Sequence, residues 1–560
     1  MPVSLTRRAL LAAPFATRLR GAPAHSEGPE ATGSYGVVAT DRQDAVRAGA
    51  RLFSTGGNAF DALAAAALVQ CMLEPDAVDI GGYVASGIVL EGRTGRVFSI
   101  DSNSVSPAAA TPTMYKVLPR RATNPGINEN EYQCSVENNA NVHGPLAVGV
   151  PGTLAGIGTL WERWGRAKWA DVVAPSLELL DRGFPYLNVA GSIRSQLDAI
   201  QRYPASAQHL MPNGAPPKPE DTWRRRDMEK TLQRLSTAGW QDLYQGELAR
   251  RTVNHIRQLG GVLTERDMAG FAPRITAPYQ VSFRGAQVHG AILPNGGITL
   301  LEVLNLLENF EPLPATDPLY WHRMAEVLKI AWRDRLTYLA DPDHAAVPIA
   351  RLLDKNYAAG RIENLRAFPT SVDRFPMPAA APSPGTVSLS AADAEGNMVA
   401  MTISHGGAFG SCVAVPGTGI FLGHGMCRFD PRPGKPNSVG ARKRPLNNVA
   451  PTLVRTPSRD FAVGMRGGRR IISSVSIMCQ RMIDENISGL EAVSGPRLHL
   501  EGQEPLEVAS NLDARFVTAL QQAGHEVKVL ARIGGNANTV ERSSTGLLRG
   551  GANGFAAAIR

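Results

Sequence analysis

Between Gly385 and Ser404 apolar positions alternate along two arms, Val387 and Leu389 on the first and Val399, Met401 and Ile403 on the second. That is the period of half-buried strands. The opposite faces are rich in hydroxyls. The connection Asp393-Ala394-Glu395-Gly396-Asn397 has the composition of a three-residue loop: a type I turn from Asp393, then Gly396 in the left-handed conformation, pairing Asp393 with Asn397. This register sets Thr386 opposite Ser404 and Ser388 opposite Thr402, so that two hydroxyls meet at the open end of a hairpin.

The same patterning predicts a strand and the start of a helix over 36–48, an all-round apolar core helix over Ala59–Leu73, and a hairpin from 87–90 and 97–101 about Arg93-Thr94-Gly95. A helix containing Trp161, Trp164 and Trp169 follows Gly152-Thr153. From 169 to about 310 helical patterns dominate, interrupted by strands at 280–283 and 287–292. Further strands are expected at 417–422, 451–454 and 461–464, and a helix at 471–483. The glycines Gly467 and Gly468 sit at that strand-to-helix junction, where backbone amides can point at an oxyanion or simply make a tight turn. The fold class read from these elements is mixed α and β. Prolines at 369, 376, 378, 382 and 384 make 365–384 a linker that ends one residue before Gly385.

The net charge of +8 and pI near 9.3 would suit an anionic partner. The arginines are scattered, however, and the clusters Arg224-Arg225-Arg226 and Arg442-Lys443-Arg444 lack repeats or interleaved aromatics, so they read as solvated faces and not as a nucleic-acid surface. Five cysteines without a CxxC pair read as isolated thiols, with pairing left open for an exported chain. His322 and Glu326 share a helix face at a spacing that could serve a metal, but no third ligand is close in sequence and a surface pair is expected. Arg7-Arg8 before a short apolar run, with Ala22-Pro23-Ala24 beyond, predicts a Tat-type export signal over 1–24 and a periplasmic or secreted protein; a basic tail on a cytoplasmic protein is the alternative. No later stretch has the length of a membrane span.

Several segments together resemble the γ-glutamyltransferases, a family of self-processing N-terminal-nucleophile hydrolases. They are Phe53 through Gly56-Gly57-Asn58 to Ala62, Val148-Gly149-Val150-Pro151-Gly152-Thr153, His322 through Asp334-Arg335 to Asp341-Pro342, the hairpin, Lys443-Arg444-Pro445-Leu446, and Gly467-Gly468. The resemblance implies an α+β fold, a four-layer αββα sandwich, built from one precursor that cuts itself between Gly385 and Thr386. A large subunit, 25–385, and a small one, 386–560, result. Thr386 would be the nucleophile, its freed α-amine (pKa about 7.7–8.0) the base. Ser404 would be the second hydroxyl, and Gly467 and Gly468 the oxyanion donors. An amide substrate and a water or amine acceptor are implied, with no metal or organic cofactor.

The substrate-binding positions depart from the family pattern. Asn103 replaces an Arg that holds the glutamyl carboxylate, Arg428 replaces the Asp that holds the α-amine, and Gly425 replaces a Gln. Asn447 and Asn448 replace paired serines, and Gly406 an Asn. Arg for Asp reverses a charge and would repel an ammonium; a local slip that brings Asp430 into the role is the alternative. Arg428, with His405 or His424 nearby, suits an acyl group bearing a carboxylate, such as glutaryl. The short 429–442 segment suggests an open pocket like that of related cephalosporin acylases. An ordinary glutathione hydrolase and an uncut, inactive binding protein are the other readings.

Overall fold

The computed structural model describes residues 25–119, 134–363, 385–502 and 504–560. The expected export signal and the 365–384 linker lie outside the described residues.

Among the described residues thirteen strands form one continuous hydrogen-bonded sheet, folded over into two facing layers, with His25–Gly33 lying off the main order and pairing with Leu548–Ile559. The first runs Arg274–Thr276, Arg96–Asn103, Val84–Glu91, Met398–Ser404, Thr386–Asp393, Gly36–Thr40. The second runs Ala537–Ser543, Arg459–Met465, Thr452–Arg455, Ala286–Gly290, Tyr279–Phe283. A single strand, Leu548–Ile559, belongs to both layers: its first half pairs with 538–542 and its second with 36–40. The changeover falls at Asn553-Gly554, where a Cβ on Gly554 would stand 2.5 Å from the Thr40 carbonyl oxygen, so the close approach requires glycine.

Alternation along the strands builds the layers. Val387, Leu389, Val399, Met401 and Ile403 face outward into the helices Gln43–Ser54, Ala59–Leu73 and Thr153–Trp164. On the far side Val454, Phe461 and Val463 face Gly297–Leu307, Pro318–Tyr338 and Arg470–Asp484. Between the sheets Val37, Ala39, Ile88 and Ala400 meet Leu453, Ala462 and Val540. The architecture is the four-layer αββα sandwich. Among the described residues no helix is long and apolar enough to cross a membrane, and the five cysteines form no disulfide.

The hairpin has the predicted register, Thr386 opposite Ser404 and Ser388 opposite Thr402, with Gly396 at φ +85°. Asp393 does more than close the turn. One carboxylate oxygen accepts from the Glu395 and Asn397 amides at 3.0 and 3.1 Å, and the other accepts from the Ala59 amide at 2.9 Å. It thereby places negative charge on the N-terminus of the buried Ala59–Leu73 helix, which Asn58 and Asp61 close with a reciprocal capping box.

Several local expectations are corrected. The tryptophan-bearing segment is two helices, Thr153–Trp164 and Trp169–Arg182, broken at Gly165, where a Cβ would stand 2.4 Å from Asp61 Oδ1. The 417–422 segment is a turn-rich loop held by an isolated Ala414–Phe421 bridge, with positive φ at Gly417 and Gly419. Arg225 is fully buried: it pairs with Asp79 at 2.5 Å and donates to the carbonyls of Cys71, Met72 and Gly419. Lys443 likewise spends its ammonium on the Pro436 and Ser438 carbonyls, and Arg444 donates to Ala272 O beside Asp101. These cations satisfy carbonyls of loops and of the last turn of Ala59–Leu73, so they are not solvated faces.

Candidate active site

Thr386 begins its strand at the open end of the hairpin, 5% exposed, on the face turned toward the second sheet. On that face, two residues further on, Ser388 lies under Gly464, whose Cβ would collide with its hydroxyl at 2.1 Å. The Thr386 and Ser404 hydroxyl oxygens are 3.0 Å apart. Ser404 Oγ donates to the Gly385 carbonyl oxygen and accepts from the Gly406 amide at 2.9 Å. These two partners fix the polarity of the hydroxyl pair. A carbonyl can only accept, so the Ser404 proton points at Gly385, and the Thr386 proton must point at Ser404.

The Gly385 carbonyl oxygen is held further by the amides of His405, 3.1 Å, and Gly406, 3.2 Å, the His405 amide being shared with the Ala77 carbonyl. Two backbone N–H groups and a hydroxyl converge on one carbonyl, the donor set that stabilises a tetrahedral oxyanion. Gly406 makes this possible: it has φ +99°, and a Cβ there would stand 2.4 Å from the His424 ring.

Gly467 and Gly468, with φ of +142° and +59°, open the helix Arg470–Asp484, and their carbonyls accept from the Arg470 and Ile471 amides. A Cβ on Gly467 would be 2.8 Å from Gly534 Cα, whereas Gly468 faces open space. Arg466, just before them, lines a cavity of about 360 Å³ with Asp41, Glu74, Asp76, Ala77 and Ser192. This cavity adjoins Gly385, since Ala77 offers its carbonyl to the His405 amide. Burial, reinforced by Glu74, pushes Asp76 up to about 6, against the Ser192 hydroxyl and Arg466. Burial likewise raises Asp41, although Arg466 stands 3.0 Å away.

The family model for gamma-glutamyltranspeptidase matches residues 45–556. The chain belongs to the γ-glutamyltranspeptidase family. It is 33% identical over 536 residues to the acylase ACY 1 proenzyme of Pseudomonas sp. (strain SE83), covering 93% of this chain and 92% of that one. It is 30% identical over 527 residues to the glutathione hydrolase proenzyme of Pseudomonas sp. (strain A14), covering 90% and 88%. In fold it is similar to the crystal structure of cephalosporin acylase from Bacillus halodurans, with TM-score 0.83 and 24% identity over 99% of this chain and 100% of that one. As a γ-glutamyltranspeptidase-family member it is an N-terminal-nucleophile amidohydrolase.

The altered family positions divide into two groups. Arg428 and Gly425 sit beside the hydroxyl pair: Arg428 Nη2 donates to the Gly406 carbonyl at 2.8 Å and its guanidinium lies 5.8 Å over the Tyr83 ring, while Gly425 packs on Tyr83 and Ser104. Tyr83 in turn donates its amide to the Ser404 carbonyl at 2.9 Å. His424 joins them, its Nδ1–H on the Val142 carbonyl at 3.1 Å; burial, Arg428 and His143 keep the ring neutral. His405 does not join: its ring is fully buried, and that burial, with Arg225 adding to it, holds the ring neutral, its value lowered to about 3.

The other group is tied into the fold. Asn103 continues the row Thr386, Ser404, Val84 across the sheet, and its Nδ2 donates to Pro445 O at 2.6 Å. Asn447 uses its side-chain amide on Asn295 and its oxygen on the Val449 amide, and Asn448 accepts from Arg335 at 2.8 Å. Asp430, the alternative ammonium partner, is engaged by Arg432 through three contacts of 2.7–3.0 Å. The sequence reading missed the His405 amide and the Asp41–Glu74–Asp76–Arg466 cavity. Only the position of Arg466, immediately before the glycine pair, hinted at the latter.

Proposed function

We propose that the chain cuts itself between Gly385 and Thr386, and that Thr386 then carries out amide hydrolysis or acyl transfer through an acyl ester. The observation behind this reading is the Gly385 carbonyl held by Ser404 and the His405 and Gly406 amides, with the Thr386 hydroxyl poised on Ser404. Thr386 Oγ1 attacks the Gly385 carbon, and its proton passes toward Ser404. The developing oxyanion takes the three donors already in place. Collapse breaks the C–N bond as a proton passes from Ser404 to the leaving Thr386 nitrogen, which leaves an ester on Thr386 Oγ1 with a free α-amine, and water hydrolyses the ester. In the mature enzyme that amine removes the hydroxyl proton, Gly467 and Gly468 receive the substrate oxyanion, and water or an amine resolves the acyl-enzyme.

The acyl group in this reading carries a carboxylate in place of the γ-glutamyl α-amine. Arg428 supports it: a cation beside Gly406 repels an ammonium, and Asp430 is engaged in an ion pair with Arg432. The 33% identity to an enzyme named as an acylase points the same way. Residues 1–24 are read as an export signal on their twin arginine, a reading that would make the enzyme periplasmic or secreted.

Intact-mass analysis of wild type and Thr386→Ala, followed by rates on glutaryl and γ-glutamyl anilides, tests the scheme. Two fragments from wild type, one chain from the variant and faster glutaryl turnover are expected. An uncut wild type removes the mechanism, and a γ-glutamyl preference leaves it standing but returns the substrate to that of a glutathione hydrolase.

A further inference from the structure

On the helix Pro318–Tyr338, far in sequence from the hydroxyl pair, His322 and Glu326 do not form the expected surface pair. Glu326 is buried, and the face they share packs against the segment between the helix Ala514–Gln522 and the strand Val527–Leu530. That segment supplies His525. One ligand atom from each of His322, Glu326 and His525 lies within 4.8 Å of the others. His322 Nδ1 and His525 Nε2 are 2.9 Å apart, and His525 Nε2 is 3.8 Å from Glu326 Oε1.

We infer that His322, Glu326 and His525 form a binding site for a divalent transition cation of the zinc class, joining the long helix to the C-terminal part of the chain. Three observations carry it. Two imidazoles and a carboxylate are a donor set that zinc takes, with a fourth position left for water. A tetrahedral ion with bonds of about 2.0–2.1 Å needs its ligands roughly 3.3 Å apart, and the separations of 2.9 and 3.8 Å bracket that value. The second ring nitrogen of His525 is also committed: Nδ1 lies 2.8 Å from Glu504 Oε1, so the carboxylate holds the proton on Nδ1 and aims the Nε2 lone pair at the site. A carboxylate behind a ligating histidine is the usual support for a zinc ligand.

Lys329 is the competitor. Its ammonium bridges Glu326, 2.7 Å, and Glu504, 2.8 Å. Because the lysine has both carboxylates to bind, a dication takes its place on Glu326 while the lysine keeps Glu504. His322 and Glu326 precede Thr386 and His525 follows it, so, on the reading that the chain is cut, the ion would bridge the two subunits.

The test is zinc titration of the full chain by calorimetry, with bound metal counted after dialysis against trace zinc. The expected result is one tightly held zinc per chain. His525→Ala and His322→Ala should each weaken binding by about 100-fold, and Glu504→Gln by about 10–100-fold. Because a variant can misfold, cobalt is added to the wild type in parallel, and the intense visible bands of a four-coordinate ion should appear and vanish on zinc addition. A wild type that holds no more zinc than the His322→Ala/His525→Ala double variant, or that gives only the pale spectrum of hydrated cobalt, overturns the site.

Discussion

The hydroxyl of Ser404 lies 3.0 Å from that of Thr386 and donates its own proton to the Gly385 carbonyl, which makes the pair directed and not symmetric. A hydrogen-bonded path therefore runs from the proposed nucleophile to the oxygen on which charge would develop.

Ser404→Ala cuts that path without touching the backbone donors. Self-cleavage should slow by about 10²–10³, the typical effect of deleting one oxyanion donor, while the fold persists. Intact mass followed over time reads the rate, and cleavage at wild-type speed would refute the relay.

Gly406→Ala tests the backbone half of the same cradle. At φ +99°, with a ring atom 2.4 Å from the new Cβ, the variant must displace His424 or move its own amide. We expect a loss of about 2–3 kcal/mol in stability together with slower cleavage. A denaturant melt and a mass time course on one sample check both effects, and normal values in both would mean that the amide has no constrained role.

Asp76 supplies a pH signature. Its folded value of about 6 lies above the ordinary carboxylate value of 3.8, so the folded state holds the proton more tightly and ionisation opposes folding. The penalty is absent below about pH 4, grows as pH rises through 6, and is complete above it; it amounts to at most about 3 kcal/mol. Asp76→Asn should therefore raise the melting temperature relative to wild type at pH 8 and change it little at pH 4. Equal shifts at both pH values would contradict the raised value.

Arg225→Met strands Asp79, which is wholly buried with it. The cost should be about 3–5 kcal/mol in chemical denaturation, as for other broken buried pairs. Adding Asp79→Leu should recover part of that and no more, because the Cys71, Met72 and Gly419 carbonyls still lose their donor. Full recovery would show that those three bonds contribute nothing.

The hairpin was legible from local rules because its register depends on one turn, and Asp393, Gly396 and Asn397 specify that turn within five residues. The Ala59–Leu73 helix was legible for a similar reason: its apolar residues allow only burial. The Arg225 ion pair was not legible, since nothing near residue 225 distinguishes a solvated arginine from one that closes a loop with Asp79. The same limit applies to the site. Thr386 and Ser404 are joined by one hairpin, whereas the cavity walls come from residues 41, 74, 76, 192 and 466, and His525 approaches His322 across 203 positions. Patterning describes neighbours along a strand or helix, and such groups become neighbours only after the layers pack.

The strand Leu548–Ile559 has a consequence for how the molecule assembles. It pairs with Gly36–Thr40 across roughly 500 residues of intervening chain and is also the seam between the two sheets. Contacts of such sequence separation form late, because the entropy of closing the loop is lost before the ladder compensates it. Until then Gly36–Thr40, the flank of the hairpin that carries Thr386, offers an unpaired edge to any passing chain. The most vulnerable interval in the life of this protein is therefore the wait for its seam, and folding yield should be more sensitive to protein concentration than the stability of the finished sandwich would suggest.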